Sequence, residues 1–179
     1  MFKIILAVMV FSLAACSDNS KKSSSAPAAD KVNESLAVSQ SSDFGFVVDA
    51  NLRACLDDSG MTVESVHTLV CSGKGVQSLE GMEQLPALAN LNVSHNNLSD
   101  ITPLANVKGL QVLYATNNSI ESVSALTGLP ELTAISLRSN KLSDADVFYT
   151  LPQLKKLYLQ GNAELDLDVS KLAQVIVAI

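Results

Sequence analysis

The 179-residue chain has no tryptophan, eight aromatic residues in all (three Tyr, five Phe), two histidines and three cysteines. So few aromatics leave no stacking surface for single-stranded nucleic acid. A net charge of −6, from 12 basic and 18 acidic side chains, leaves no electrostatic footprint for DNA. Two histidines and three cysteines are little material for a structural zinc site, and no metal or cofactor is expected. Long apolar runs are also missing. The one candidate, within Met1 to Ala15, falls short of the ~20 apolar residues of a spanning helix. What the chain holds in excess is leucine, 26 residues of it, in a length that allows one domain with a real core.

The first fifteen residues, MFKIILAVMVFSLAA, carry a single charge at Lys3, then an apolar stretch, then small residues. That is the layout of a secretory signal, and Asp18 to Lys22 ends the run. Leu13-Ala14-Ala15-Cys16 resembles the lipobox of bacterial lipoproteins. The resemblance implies cleavage before Cys16, diacylglycerol on its sulfur and acylation of its amine, so that Cys16 is the lipidation site and the bilayer a partner. Two or more acyl chains anchor stably where one does not. Ser17 implies sorting to the outer membrane, facing the periplasm; Asp in that place would imply retention in the inner one. An ordinary signal followed by a chance cysteine is the alternative. Residues 16–43 then contain almost no large apolar side chains, which predicts a disordered tether.

From Val66 onward the apolar residues fall into a 22-residue frame. Leu88-x-x-Leu91-x-Val93-x-x-Asn96-x-Leu98 is followed by Leu110-x-x-Leu113-x-Ala115-x-x-Asn118-x-Ile120. Leu132-x-x-Ile135-x-Leu137-x-x-Asn140-x-Leu142 and Leu154-x-x-Leu157-x-Leu159-x-x-Asn162 continue it. A first unit, Val66-x-x-Leu69-x-Cys71-x-x-Lys74-x-Val76, keeps the spacing without the asparagine. This is the leucine-rich-repeat pattern, and Ile101-Thr102-Pro103-Leu104 resembles the matching stretch of internalin-type repeats. The expected fold is therefore an α/β repeat solenoid, a leucine-rich-repeat horseshoe with a parallel concave sheet and a short 3₁₀ or extended convex side. Alternation along each strand points the leucines inward. Asn96, Asn118, Asn140 and Asn162 form a structural ladder, because an amide both donates and accepts and so satisfies buried backbone groups of neighbouring coils. Convex-side apolar residues recur every three positions (Ile101, Leu104, Val107; Val123, Leu126, Leu129; Ala145, Phe148, Leu151), the period of a 3₁₀ turn.

A solenoid needs caps at its ends. Residues 44–65 read as the N-terminal cap, with a helix over about 50–58 started by Asp49 and stopped by Gly60. Leu52, Cys55 and Leu56 give it one apolar face. Cys55 and Cys71 both face that junction, so a disulfide between them is sensible in an oxidising compartment, two buried thiols being the alternative. At the other end the repeats cover 66–175, and Ile176 and Ile179 match the first two apolar positions of a further unit, a partial repeat over 176–179. This end is either a cap or an exposed β edge through which a homodimer could form.

Function is expected on the outward strand residues. These are Thr68, Val70, Ser72; Asn90, Asn92, Ser94; Val112, Tyr114, Thr116; Ala134, Ser136, Arg138; and Lys156, Tyr158, Gln160. Tyr114 and Tyr158 share a column, ~9–10 Å apart at strand spacing, with Arg138 between them one column over. Tyr and Arg are enriched at interface hot spots, so the partner-binding residues are taken as Asn92, Tyr114, Arg138, Lys156 and Tyr158. Catalysis is not expected. His67 and His95 fall near opposite ends of adjacent strands, on the order of 20 Å apart, too far for a triad. Gly73-Lys74-Gly75 lacks the leading glycine and trailing Ser/Thr of a P-loop. Glu164, Asp166 and Asp168 alternate as on a solvated strand face and lack calcium-loop spacing. The expected function is non-catalytic binding of another protein by an envelope-anchored scaffold or adaptor. A surface-exposed adhesin of internalin kind is the runner-up, and an enzyme subunit completed by a partner is a third reading. In a bacterium that processes lipoproteins, the wild-type chain is predicted to take up radiolabelled palmitate and Cys16→Ala to take up none; equal labelling of both contradicts the assignment.

Overall fold

A computed structural model of the chain describes residues 43–179. The signal, Cys16 and all but the last residue of the tether expected over 16–43 lie outside the described residues. Six three-residue strands, β1 (Thr68–Val70), β2 (Asn90–Asn92), β3 (Val112–Tyr114), β4 (Ala134–Ser136), β5 (Lys156–Tyr158) and β6 (Ile176–Ala178), form one parallel sheet in sequence order. Leu69, Leu91, Leu113, Ile135 and Leu157 stack in register and are buried, 22 residues apart each time. The side chains before and after each of them in β1 to β3 and β5 are partly or fully exposed. Opposite the sheet, short 3₁₀ turns return the chain at Met82–Gln84, Thr102–Asn106, Ser124–Leu126, Asp146–Thr150 and Val169–Leu172. Every convex-side residue of the three-spaced sets, Ile101 to Leu151, is buried. Five residues or fewer per turn suits the tight period of a 3₁₀ turn and leaves no length for an α-helix.

The asparagines bind each coil to the one before it. Asn140 Nδ2 donates to the carbonyls of Ala115 (2.9 Å) and Leu137 (3.0 Å), while its Oδ1 accepts from Ile120 N (3.0 Å). Asn162 repeats this with Leu137 and Leu159 as acceptors and Leu142 N as donor. Asn118 does so with Val93, Ala115 and Leu98. Asn96 donates to Cys71 and Val93 and accepts from both Lys74 N and Val76 N. Lys74 stands at this position in the first coil, where no coil precedes it. There the cap helix substitutes: Asn51 Nδ2 donates to the Gly75 carbonyl at 3.1 Å.

That helix, α1 (Ala50–Asp58), starts at Asp49 and buries Leu52, Cys55 and Leu56. Asp49 does two jobs. Its Oδ1 accepts from the Asn51 and Leu52 amides of α1, and its Oδ2 from the Gln77 and Ser78 amides of the first coil. Cys55 and Cys71 are joined by a disulfide. Closing a loop of that size contributes ~3 kcal/mol on the chain-entropy account. Arg53 reinforces the cap by donating to the Val47 carbonyl, and Phe44 packs edge-on against Phe46 with centroids 6.2 Å apart. The approach is close enough that Gly81, at φ +100, has the Phe46 carbonyl only 2.7 Å from where a Cβ would stand. No side chain fits there.

The far end departs from the 22-residue frame. Ile176 pairs with Lys156, Val177 with Leu157 and Ala178 with Tyr158, an offset of 20. Ile176 therefore takes an outward position, 63% exposed, and Val177 takes the inward one. The expected match of Ile176 and Ile179 to the first two apolar positions is corrected: the last return turn is two residues shorter, which shifts the register by one full alternation. Glu164, Asp166 and Asp168 do not lie on a strand either. Asp168 caps the turn Val169–Leu172, accepting from the Ser170 amide and hydroxyl, and these bonds, the hydroxyl's foremost, hold its carboxyl below the usual range. Lys171 lies over the Tyr149 ring at 4.9 Å, and the Tyr149 hydroxyl accepts from the Asp168 amide. Among the described residues, no helix is long and apolar enough to cross a membrane.

Two predictions follow from this bonding. Asn140→Ala leaves buried backbone groups without partners, each costing about 1–3 kcal/mol, so urea denaturation should show a loss of about 3 kcal/mol, against under ~0.5 for the exposed Asn106→Ala. Burial raises the Asp49 carboxyl pKa, but the amides of Gln77, Leu52, Ser78 and Asn51 outweigh it and hold the group below its ordinary range. A lowered folded pKa adds stability above the unfolded value and loses it as pH falls through the folded one. The urea midpoints of wild type and Asp49→Asn should therefore differ at neutral pH and converge in acid.

Candidate functional site

Because the sheet is parallel and in register, each outward position becomes a column running across the coils. One column holds Thr68, Asn90, Val112, Ala134, Lys156 and, after the shift, Ile176. The next holds Val70, Asn92, Tyr114, Ser136, Tyr158 and Ala178. Tyr114 and Tyr158 thus share a column two strands apart, as the spacing predicts. Arg138 lies on the intervening coil, one column over, but its side chain leans to one of them. Its guanidinium lies over the Tyr158 ring, 4.6 Å from the centroid, and its Nε donates to Gln160 Oε1 at 2.7 Å. Tyr114 is left to itself, 42% exposed. Two of the outward serines are buried. Ser136 lies in the column between the two tyrosines and meets the Thr116 hydroxyl at 3.0 Å, and Ser94 is similarly covered. Small side chains beside larger ones are roofed by them whichever face they point to.

Asn92 and Lys156 flank this group differently. Asn92 Oδ1 accepts from the Ser94 amide at 3.1 Å, which fixes its side chain against its own strand. Lys156 is exposed, and the only ion pair among the described residues is the surface contact of Lys171 with Asp168. Sequence reasoning missed an apolar element. Val70 is 61% exposed, and with Val112, Tyr114, Thr68, Asn90 and Asn92 it borders a shallow hollow of about 240 Å³ over β1 to β3. The signal was present, since valines at outward positions 70 and 112 have no core role.

Charge is segregated as well. Residues 43–179 contain fifteen Asp and Glu, and none occupies an outward strand position. Asp100, Glu121, Asp144, Asp146, Glu164, Asp166 and Asp168 all fall between the eleventh and fifteenth positions of their coils, after the chain has left the sheet. Arg138 and Lys156 are the charged members of the strand face.

The rim beside the sheet is a column of left-handed residues: Gly73 (φ +67), His95 (+59), Asn117 (+54), Ser139 (+53) and Gly161 (+81). Every coil turns out of its strand at this eighth position, which accounts for His95 sitting there. Its Nδ1 is 3.0 Å from Asn117 Nδ2, whereas the Nδ1 of His67, at the other end of the strands, is 2.8 Å from the Ser65 carbonyl. Among the described residues no three His, Cys, Asp or Glu side chains gather as a metal site would require.

Residues 86–142 match the family model described as Leucine rich repeat. The fold is a leucine-rich-repeat horseshoe. An internalin of Listeria monocytogenes, InlF, superposes with a TM-score of 0.67 at 27% identity, over 79% of this chain and 46% of its own. The functional domain of InlJ from the same organism, described as including a cysteine ladder, gives 0.62 at 21% identity over 73% of this chain and 36% of its own. A human protein, leucine-rich repeat-containing protein 56, is 38% identical over 58 residues, 32% of this chain. The chain thus spans less than half of InlF and 11% of the human relative. The leucine-rich-repeat geometry also explains the rim glycine: a Cβ on Gly161 would stand 3.1 Å from Ser139 Oγ on the preceding coil. With its positive φ, Gly161→Ala should cost about 1–2 kcal/mol in thermal or urea unfolding, and an unchanged stability would contradict the constraint.

Proposed function

We propose that this chain is a lipid-anchored protein of a bacterial envelope that binds another protein through the concave sheet of its leucine-rich repeats, without catalysis. The observation that carries the binding is the strand face itself: an acid-free surface with exposed Tyr114, the Arg138–Tyr158 stack and Lys156. Repeat solenoids use such extended concave surfaces for macromolecules, and Tyr and Arg are the side chains that most often dominate binding energy. The envelope location rests on the lipobox-like run ending at Cys16, with Ser17 favouring the periplasmic face of the outer membrane. A Cys55–Cys71 disulfide suits an oxidising compartment. The likeness to internalins keeps a surface-exposed adhesin as the second reading, and shaving intact cells with protease separates them, loss of the protein indicating surface exposure.

Ile176 and Ile179, exposed at the edge strand β6 of the described sheet, favour self-association as an accessory property; a monomeric mass at high concentration contradicts it. The main reading is tested with a photo-crosslinking amino acid placed at Tyr114 or at Asn106 on the convex side. Irradiated cells should give a discrete protein adduct from position 114 and none from 106. An adduct from 106 alone would overturn the concave assignment.

A further inference from the structure

Three features of the concave face are independent of one another and point to the same ligand chemistry. The first is the absence of carboxylates from a surface that belongs to an acidic chain, so that its field is set by Arg138 and Lys156. The second is the state of Arg138. Its Nε is held by Gln160 and its plane by the Tyr158 ring, yet its two terminal NH₂ groups make no hydrogen bond among the described residues. A guanidinium fork fixed in this way, with its outer donors free, matches a carboxylate in two-point geometry and loses little freedom on binding it. The third is the hollow bordered by Val70, Val112 and Tyr114, which offers apolar surface two coils away.

Resting on the protein-binding reading above, we propose that the concave face receives an extended acidic segment of its partner, whose carboxylate is bound by Arg138 and whose large apolar side chain fills the hollow at Val70, Val112 and Tyr114. The two anchor points are two strands and about three residues apart, roughly 14 Å at ~4.8 Å between strands and ~3.3 Å along them. An extended chain covers that distance in about four residues. The attraction is screened by salt, so binding weakens as ionic strength rises.

The test is selection from a random 12-residue phage-displayed peptide library on the full-length protein. Wild type should enrich peptides with Asp or Glu about four residues from a Leu, Phe or Tyr, and Arg138→Gln should weaken them at least tenfold. Arg138→Glu, an exposed change that leaves the core untouched, should move the enrichment toward Lys and Arg. Basic or neutral peptides that ignore Arg138→Gln but are lost with Tyr114→Ala overturn the acidic chemistry and leave the concave reading standing. Peptides indifferent to both changes, or no enrichment at all, overturn both. Sedimentation with phosphatidylglycerol vesicles that depends on Arg138, in place of peptide enrichment, also overturns the proposal.

Discussion

A chain that turns out of a three-residue strand leaves backbone amides and carbonyls pointing into the interior, and no helix is at hand to pair them. One asparagine per coil resolves this. Each amide nitrogen of Asn96, Asn118, Asn140 and Asn162 donates to a carbonyl of its own coil and one of the coil before, and each oxygen accepts an amide of that preceding coil. The stacked leucines supply hydrophobic drive, but that drive is non-directional and would tolerate slippage. The asparagines fix the register. At the front, where no coil precedes, Asp49 and Asn51 of the cap take over the same duty.

Register is what turns a set of outward side chains into a surface. Because Asn92, Tyr114, Ser136 and Tyr158 are aligned strand by strand, the diagonal step from Arg138 to Tyr158 is short enough for the two to stack, and Gln160 meets Arg138 directly. The same regularity sorts the charges. Carboxylates are kept off the outward strand positions, and the sheet face is left to hydroxyls, amides, aromatics, a few apolar side chains and two cations. The fold thus creates a rigid face whose chemistry differs from that of the molecule as a whole. That difference, more than any single residue, supports a binding role.

The repeats were legible in the sequence because a solenoid writes the same physical demands every 22 residues. Leucine spacing, the asparagines, the three-residue convex period, the Asp49 cap and the pairing of Cys55 with Cys71 each follow from one local requirement, and the structure has them all. What escaped were features set by neighbours in space. The last coil is two residues shorter than the rest, and the 22-residue frame, carried one unit too far, placed Ile176 on the inward side when it is outward. Burial of Ser94 and Ser136 depends on the size of adjoining side chains, not on their direction. The stacking of Arg138 on Tyr158 to the exclusion of Tyr114 needed actual rotamers. The left-handed column at His95, Asn117 and Ser139 was masked because only Gly73 and Gly161 advertise a positive φ.

The asparagine ladder holds the coils as one cooperative stack, and native-state hydrogen exchange reads that most directly. The amides of Val76, Leu98, Ile120 and Leu142, each bonded to an asparagine side chain, are predicted to exchange only with global unfolding. They should match sheet amides such as Val93 and Ala115 in protection and fall with them as denaturant is added. Exchange of these four amides orders of magnitude faster than the sheet, as expected of solvated turns, would contradict it.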